Sequence, residues 1–104
     1  MSQSRIDALA KMLAGDPSNV MVRYGLANEY WKMANYEAVI EQMTAYLKAT
    51  DDQGAGYRML GQAYHKLGNL TEARAAWLAG QQAAESHGHP SMADEISQMI
   101  EDLD

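Results

Sequence analysis

His87 and His89, one residue apart, are the histidines of this sequence spaced like a metal-binding pair. A structural or catalytic metal needs at least three protein ligands, and no third one stands out beside them. Gly88 suits the close of one helix and Pro90 the opening of the next, so the segment reads as a polar connector. Asp51 with Asp52, and Glu101 with Asp102 and Asp104, are paired carboxylates. They read as helix-start charges and a solvated tail rather than as an acid–base couple. Glu29 is expected to form a surface salt bridge to the first helix, since no reacting partner accompanies it for general-base work. With no cysteine there is no thiolate nucleophile or disulfide. No active site is visible; no metal, no cofactor and no enzymatic activity are expected. A small metal-dependent enzyme or enzyme subunit is the reading that these groups would otherwise support.

The elements that position these residues are helical. Of the 104 residues only two are proline, and Leu, Ala, Met, Glu and Gln recur throughout. No run alternates Val, Ile or Thr as a strand would. Hydrophobic residues at 47% exceed what a disordered chain carries. No apolar run reaches membrane-spanning length and residues 1–7 lack a signal peptide's features, so a cytoplasmic protein with no membrane association is expected. The net charge of −6 opposes a phosphate backbone, so nucleic acid is not an expected partner.

A repeat organises the chain. Leu26 matches Leu60, Ala27 Gly61, Tyr30 Tyr64, Lys32 Lys66, Asn35 Asn69 and Tyr36 Leu70, each 34 residues on. In the second copy Tyr57, Leu60, Gly61 and Tyr64 are followed by Ala73 and Trp77. The small residues Gly61 and Ala73 let two helices approach, and the large ones fill the space between. In the first copy Arg23, Val39, Met43 and Asp51 replace the leading aromatic, the small residue, the second aromatic and the closing proline. Tyr36, Val39, Ile40, Met43, Tyr46 and Leu47 still form one helical face. Asp16, Pro17, Ser18 and Asn19 make a turn and cap. Asn35 and Asn69 are N-caps, the latter with Glu72 as a capping box, so helices should begin near 20, 36, 54 and 70. Ile6, Leu9 and Leu13 stripe an N-terminal helix. Met92, Ile96, Met99, Ile100 and Leu103 stripe a C-terminal one.

The pattern Tyr57-x-x-Leu60-Gly61-x-x-Tyr64 with Ala73-x-x-x-Trp77 resembles the tetratricopeptide repeat family. The resemblance covers 20–87 and implies an all-α fold, an α-α superhelix of two antiparallel helix pairs. An N-terminal half-repeat helix and a C-terminal capping helix flank them. The expected organisation is a single domain over 1–104, with the N-terminal helix at 4–15, repeats at 20–53 and 54–87, and the capping helix at 90–103. In this family the first helix of each repeat lines a concave groove that takes a peptide or partner helix. Carried over, the row is Met21, Tyr24, Asn28, Trp31 and Lys32, then Ala55, Arg58, Gln62, His65 and Lys66.

That row holds three of the eight Lys and Arg and none of the fourteen Asp and Glu. The implied partner is therefore an acidic extended or helical protein segment. Tyr24, Asn28, Trp31, Lys32, Arg58, Gln62, His65 and Lys66 are the expected partner-binding residues, with Trp31 exposed and Trp77 buried. Asn28 matches a slot of the family's carboxylate-clamp members, but Tyr24 and Met59 depart from it, so chaperone-tail binding is not expected. The alternative is self-association through terminal helix faces. The expected state is a monomer or weak homo-oligomer.

Overall fold

The computed structural model describes residues 2–103; Met1 and Asp104, the last of the C-terminal acids, lie outside the described residues. The described residues form six α-helices and no strand: α1 Ser2–Gly15, α2 Val20–Lys32, α3 Tyr36–Ala49, α4 Ala55–Lys66, α5 Leu70–Ser86 and α6 Pro90–Glu101. The helices pack in adjacent pairs, α1 on α2, α2 on α3, α4 on α5 and α5 on α6. The chain falls into two compact units that divide between Thr50 and Asp51.

Local chemistry sets the helix boundaries. The Asn19 side chain accepts the Val22 N–H at 3.2 Å and Asn35 accepts that of Ala38 at 3.3 Å, each relieving an unpaired donor of a first turn. Asn69 holds the N-cap position of α5 but makes no side-chain capping bond, so the expected capping box with Glu72 does not form. Gly54, the N-cap of α4, has no side chain to cap with. Asp52 takes over, its Oδ2 accepting the N–H groups of Gly54 and Gly56, each at 2.8 Å. Buried Asp52 is thus the helix-start charge that the sequence suggests. Pro90 opens α6, which ends at Glu101, two residues short of the expected limit.

In the first unit, Ile6 of α1 packs with Val22 and Leu26 of α2, and Leu9, Leu13 and Tyr30 complete the cluster. The N-terminal stripe read from the sequence is therefore the face that α1 buries. Between α2 and α3, Ala27, Val39 and Met43 are fully buried, and Tyr24 meets Tyr46 edge-on with ring centroids 5.0 Å apart. Arg23, standing where the repeat pattern has an aromatic, donates to the Gln42 side chain at 3.1 Å and to the Pro17 carbonyl at 3.2 Å. Its guanidinium ties the hairpin to the preceding turn, where Ser18 also bonds Asp16 at 2.8 Å.

In the second unit, Trp77 is 3% exposed and lies directly against Gly61, where a Cβ would sit 2.2 Å from the indole nitrogen. No side chain fits there unless the indole moves. Trp77 Nε1 donates to the Arg58 carbonyl at 3.1 Å, giving the buried donor its partner. Gly80 makes a second close approach, because a Cβ there would be 2.8 Å from that of Tyr57. Ala73, Trp77 and Ile96 form the centre of the core, joined by Tyr64, Met92, Met99, Ile100 and Leu103. All five apolar residues of the C-terminal stripe therefore face the core. The connector before α6 does more than turn the chain: His87 Nε2 lies 3.3 Å from Asp51 Oδ2, and His89 Nε2 lies 2.6 Å from Gln53 Oε1.

Candidate functional site

The expected partner-binding residues lie on two helices, four on α2 in the first unit and four on α4 in the second. On α2, Met21 is exposed, Tyr24 and Asn28 are half-buried, and Lys32 is exposed. Trp31 is not the freely exposed indole that the sequence suggests. It is half-buried and meets Tyr36 edge-on at 5.1 Å, because α3 begins beside it. Tyr24 is likewise partly committed to Tyr46. This face is aromatic and amide-bearing, with a single cation.

That cation is already engaged. Lys32 Nζ lies 3.2 Å from Glu29 Oε2, and Arg5 Nε of α1 reaches the same oxygen at 3.2 Å. Glu29 does pair with the first helix as expected, but it is 3% exposed rather than a surface residue. Its other oxygen, Oε1, is buried with no partner among the described residues. Burial pushes the Glu29 carboxyl upward, yet the Lys32 hydrogen bond and the charges of Lys32 and Arg5 outweigh it. The carboxyl is held below the ordinary carboxylate range. Glu29 therefore stays ionised at neutral pH as an anchor for α1.

On α4, Arg58 and Gln62 are half-buried while His65 and Lys66 are exposed. Arg58 Nη1 is ion-paired with Glu95 Oε1 of α6. The His65 ring lies 5.7 Å from that of Trp77, so one side of the imidazole is backed by the core. Lys66 forms no ion pair among the described residues. Neither Asp nor Glu occurs anywhere in α4; among the described residues Asp52 caps its start from the preceding loop and Glu95 of α6 reaches Arg58. Of the three cations in the expected row, two are internally neutralised and Lys66 is open.

Sequence reasoning placed Glu29 against the first helix without naming Arg5, and it missed Glu95 as the partner of Arg58. Arg5 and Glu95 are each a long, exposed side chain on a flanking helix, and no local spacing signals a partner 24 or 37 residues away. Among the described residues, no group of three or more His, Asp or Glu is placed to hold a metal ion. No described helix is long and apolar enough to cross a membrane.

No family model matches the chain. A TPR repeat-containing protein of Pseudomonas aeruginosa is 31% identical over 99 residues, which span 95% of this chain and 94% of that protein. The solution structure of a Bordetella parapertussis protein superposes with a TM-score of 0.80 at 26% identity, covering 94% of this chain and 85% of the other.

Proposed function

The chain belongs to the tetratricopeptide repeat family, and on that premise we propose that it is a non-catalytic protein-interaction module whose α4 face takes an acidic segment of a partner protein. The observation that carries the reading is the row Arg58, Gln62, His65 and Lys66 on a helix free of carboxylates, in a protein whose net charge is −6. With Arg58 paired to Glu95, the open charge of that row is Lys66, which attracts an acidic segment that the rest of the surface repels. The segment is extended or helical, since either form presents carboxylates along one side. Tyr24, Asn28, Trp31 and Lys32 on α2 offer a second face of different character, suited to apolar and amide contacts.

Fluorescence anisotropy with a labelled glutamate-rich peptide tests this reading, using a glutamine-rich peptide as control. Because the face is short, the affinity should be about micromolar or weaker. It should weaken as salt is raised. Lys66→Glu should weaken it by about fivefold or more while costing no more than about 1 kcal/mol of stability, since Lys66 is exposed and its charge sits in the last turn of α4. Unchanged affinity in a folded Lys66→Glu variant would remove α4 from the interaction.

Self-association through terminal helix faces is the second reading. It draws on Met12, which is 55% exposed on α1. Light scattering that stays at monomer mass in concentrated solution would eliminate it.

A further inference from the structure

The cation nearest the middle of α4 is not waiting for a ligand, because Arg58 is held by Glu95 from α6. Neither group is buried: the side chains are 32% and 53% exposed. The Arg58 backbone is fixed independently, since its carbonyl accepts the Trp77 indole N–H at 3.1 Å. The guanidinium can therefore change partners without the helix moving. Its present partner is the same chemical group that an acidic protein segment would offer.

Resting on the proposed acidic-segment reading, we propose that Glu95 is an internal stand-in for the partner's carboxylate, and that binding exchanges one for the other on Arg58. The exchange has a consequence for specificity. A single carboxylate that displaces Glu95 makes one exposed pair and breaks another, so it gains almost nothing. Net gain requires a second carboxylate reaching the open cation, Lys66. Arg58 and Lys66 are eight residues apart on one helix, about 12 Å along its axis at about 1.5 Å per residue. An extended segment rises about 3.3 Å per residue, so acids about four positions apart span that distance, and they project from the same side of the strand. The favoured ligand is an extended segment with carboxylates at i and i+4. A segment carrying one acid or two adjacent ones reaches Lys66 alone and leaves Glu95 on Arg58.

The test compares wild type, Glu95→Gln, Asp94→Asn and Arg58→Gln/Glu95→Gln by competition anisotropy, with two synthetic peptides of otherwise neutral sequence. One carries glutamates at i and i+4, the other at i and i+1. Asp94→Asn removes the same charge from the neighbouring exposed position of α6 and so controls for net charge. An exposed ion pair limits the effect, so Glu95→Gln should tighten binding of the i, i+4 peptide by about two- to fivefold and of the i, i+1 peptide by less. Asp94→Asn should give clearly less, and the gain should vanish when Arg58 is also replaced. Wild type should prefer the i, i+4 peptide, and the preference should widen in Glu95→Gln, because only that peptide needs Arg58 and Lys66 together. Wild-type binding that depends on Lys66 while Glu95→Gln and Asp94→Asn behave alike would overturn the exchange and leave the acidic-segment reading standing. Absence of binding in all four proteins would overturn both.

Discussion

The hairpins α2–α3 and α4–α5 repeat the same helix pairing 34 residues apart, yet they fill it with opposite distributions of bulk. In the second hairpin Gly61 and Ala73 are small so that Trp77 can be large. In the first, Ala27, Val39 and Met43 share the volume at the matching positions, and all three are fully buried. Tyr57 on the leading helix fills the space over Gly80 in the second. In the first the bulk lies across the gap, with Tyr46 at the position of Gly80 and Arg23 at that of Tyr57. Even the charge is exchanged, since buried Ala63 corresponds to buried Glu29. At the positions of Gly61, Ala73 and Trp77 the bulk moves from one large side chain to two medium ones while the helix pairing is kept.

The largest expected effect is in the second hairpin. Trp77→Ala should destabilise the protein by about 3–5 kcal/mol in urea melts, through the cavity and the unpaired Arg58 carbonyl. A near-neutral result would mean that Trp77 does not organise the core. Gly61→Ala, which copies Ala27 of the first hairpin, should still cost about 1–3 kcal/mol because of the indole beneath it. Adding Trp77→Met, as in the first hairpin, should remove that penalty. Gly61→Ala/Trp77→Met should be no less stable than Trp77→Met alone, a coupling of about 1 kcal/mol or more. Additive effects would show that the two positions do not share one volume.

The turns after α2 and α4 differ more subtly. Gly68 closes one at φ 79°, whereas Ala34 closes the other at φ 57°, a conformation that costs a side chain. Ala34→Gly should stabilise the first unit by about 0.5–1 kcal/mol, the relief of strain being partly offset by the freer unfolded chain. A loss of stability would show that Ala34 is relaxed.

The smallest effect concerns Glu29, the charge that the second hairpin lacks. Its carboxyl is depressed in the folded state, so its contribution is complete above its ordinary value of 4.5 and is lost as the pH falls through the lower folded value. The stability difference between wild type and Glu29→Gln should therefore shrink in melts taken at successively lower pH. A difference that is constant from neutral to strongly acidic pH would exclude the ion pairs as its source.

Much of this fold was legible because its determinants are local. The 34-residue register located Gly61 against Trp77, the asparagines and Pro90 marked helix starts, and both flanking stripes proved to be the buried faces. The misreadings came from side chains whose partners are chosen in three dimensions. Asn69 has the right type for a cap but does not make the bond, while Asp52, two residues before the N-cap of α4, does. Trp31 looked free because the edge of Tyr36 across the α2–α3 turn leaves no periodic trace. The expected positions on α2 and on α4 could be read from the sequence but not the charge each helix presents, since Glu29 neutralises Lys32 on α2 and Glu95 neutralises Arg58 on α4.

The proposed binding of an acidic segment on the α4 face can be followed residue by residue. The chain is 11.5 kDa, a size at which every backbone amide can be followed by proton–nitrogen NMR during titration with a glutamate-rich peptide. The largest, salt-sensitive shifts should fall on Arg58, Gln62, His65 and Lys66, with Glu95 shifting alongside them as it leaves Arg58. Shifts centred instead on the outer side of α5, around the exposed Leu70 and Leu78, with α4 unmoved, would contradict it.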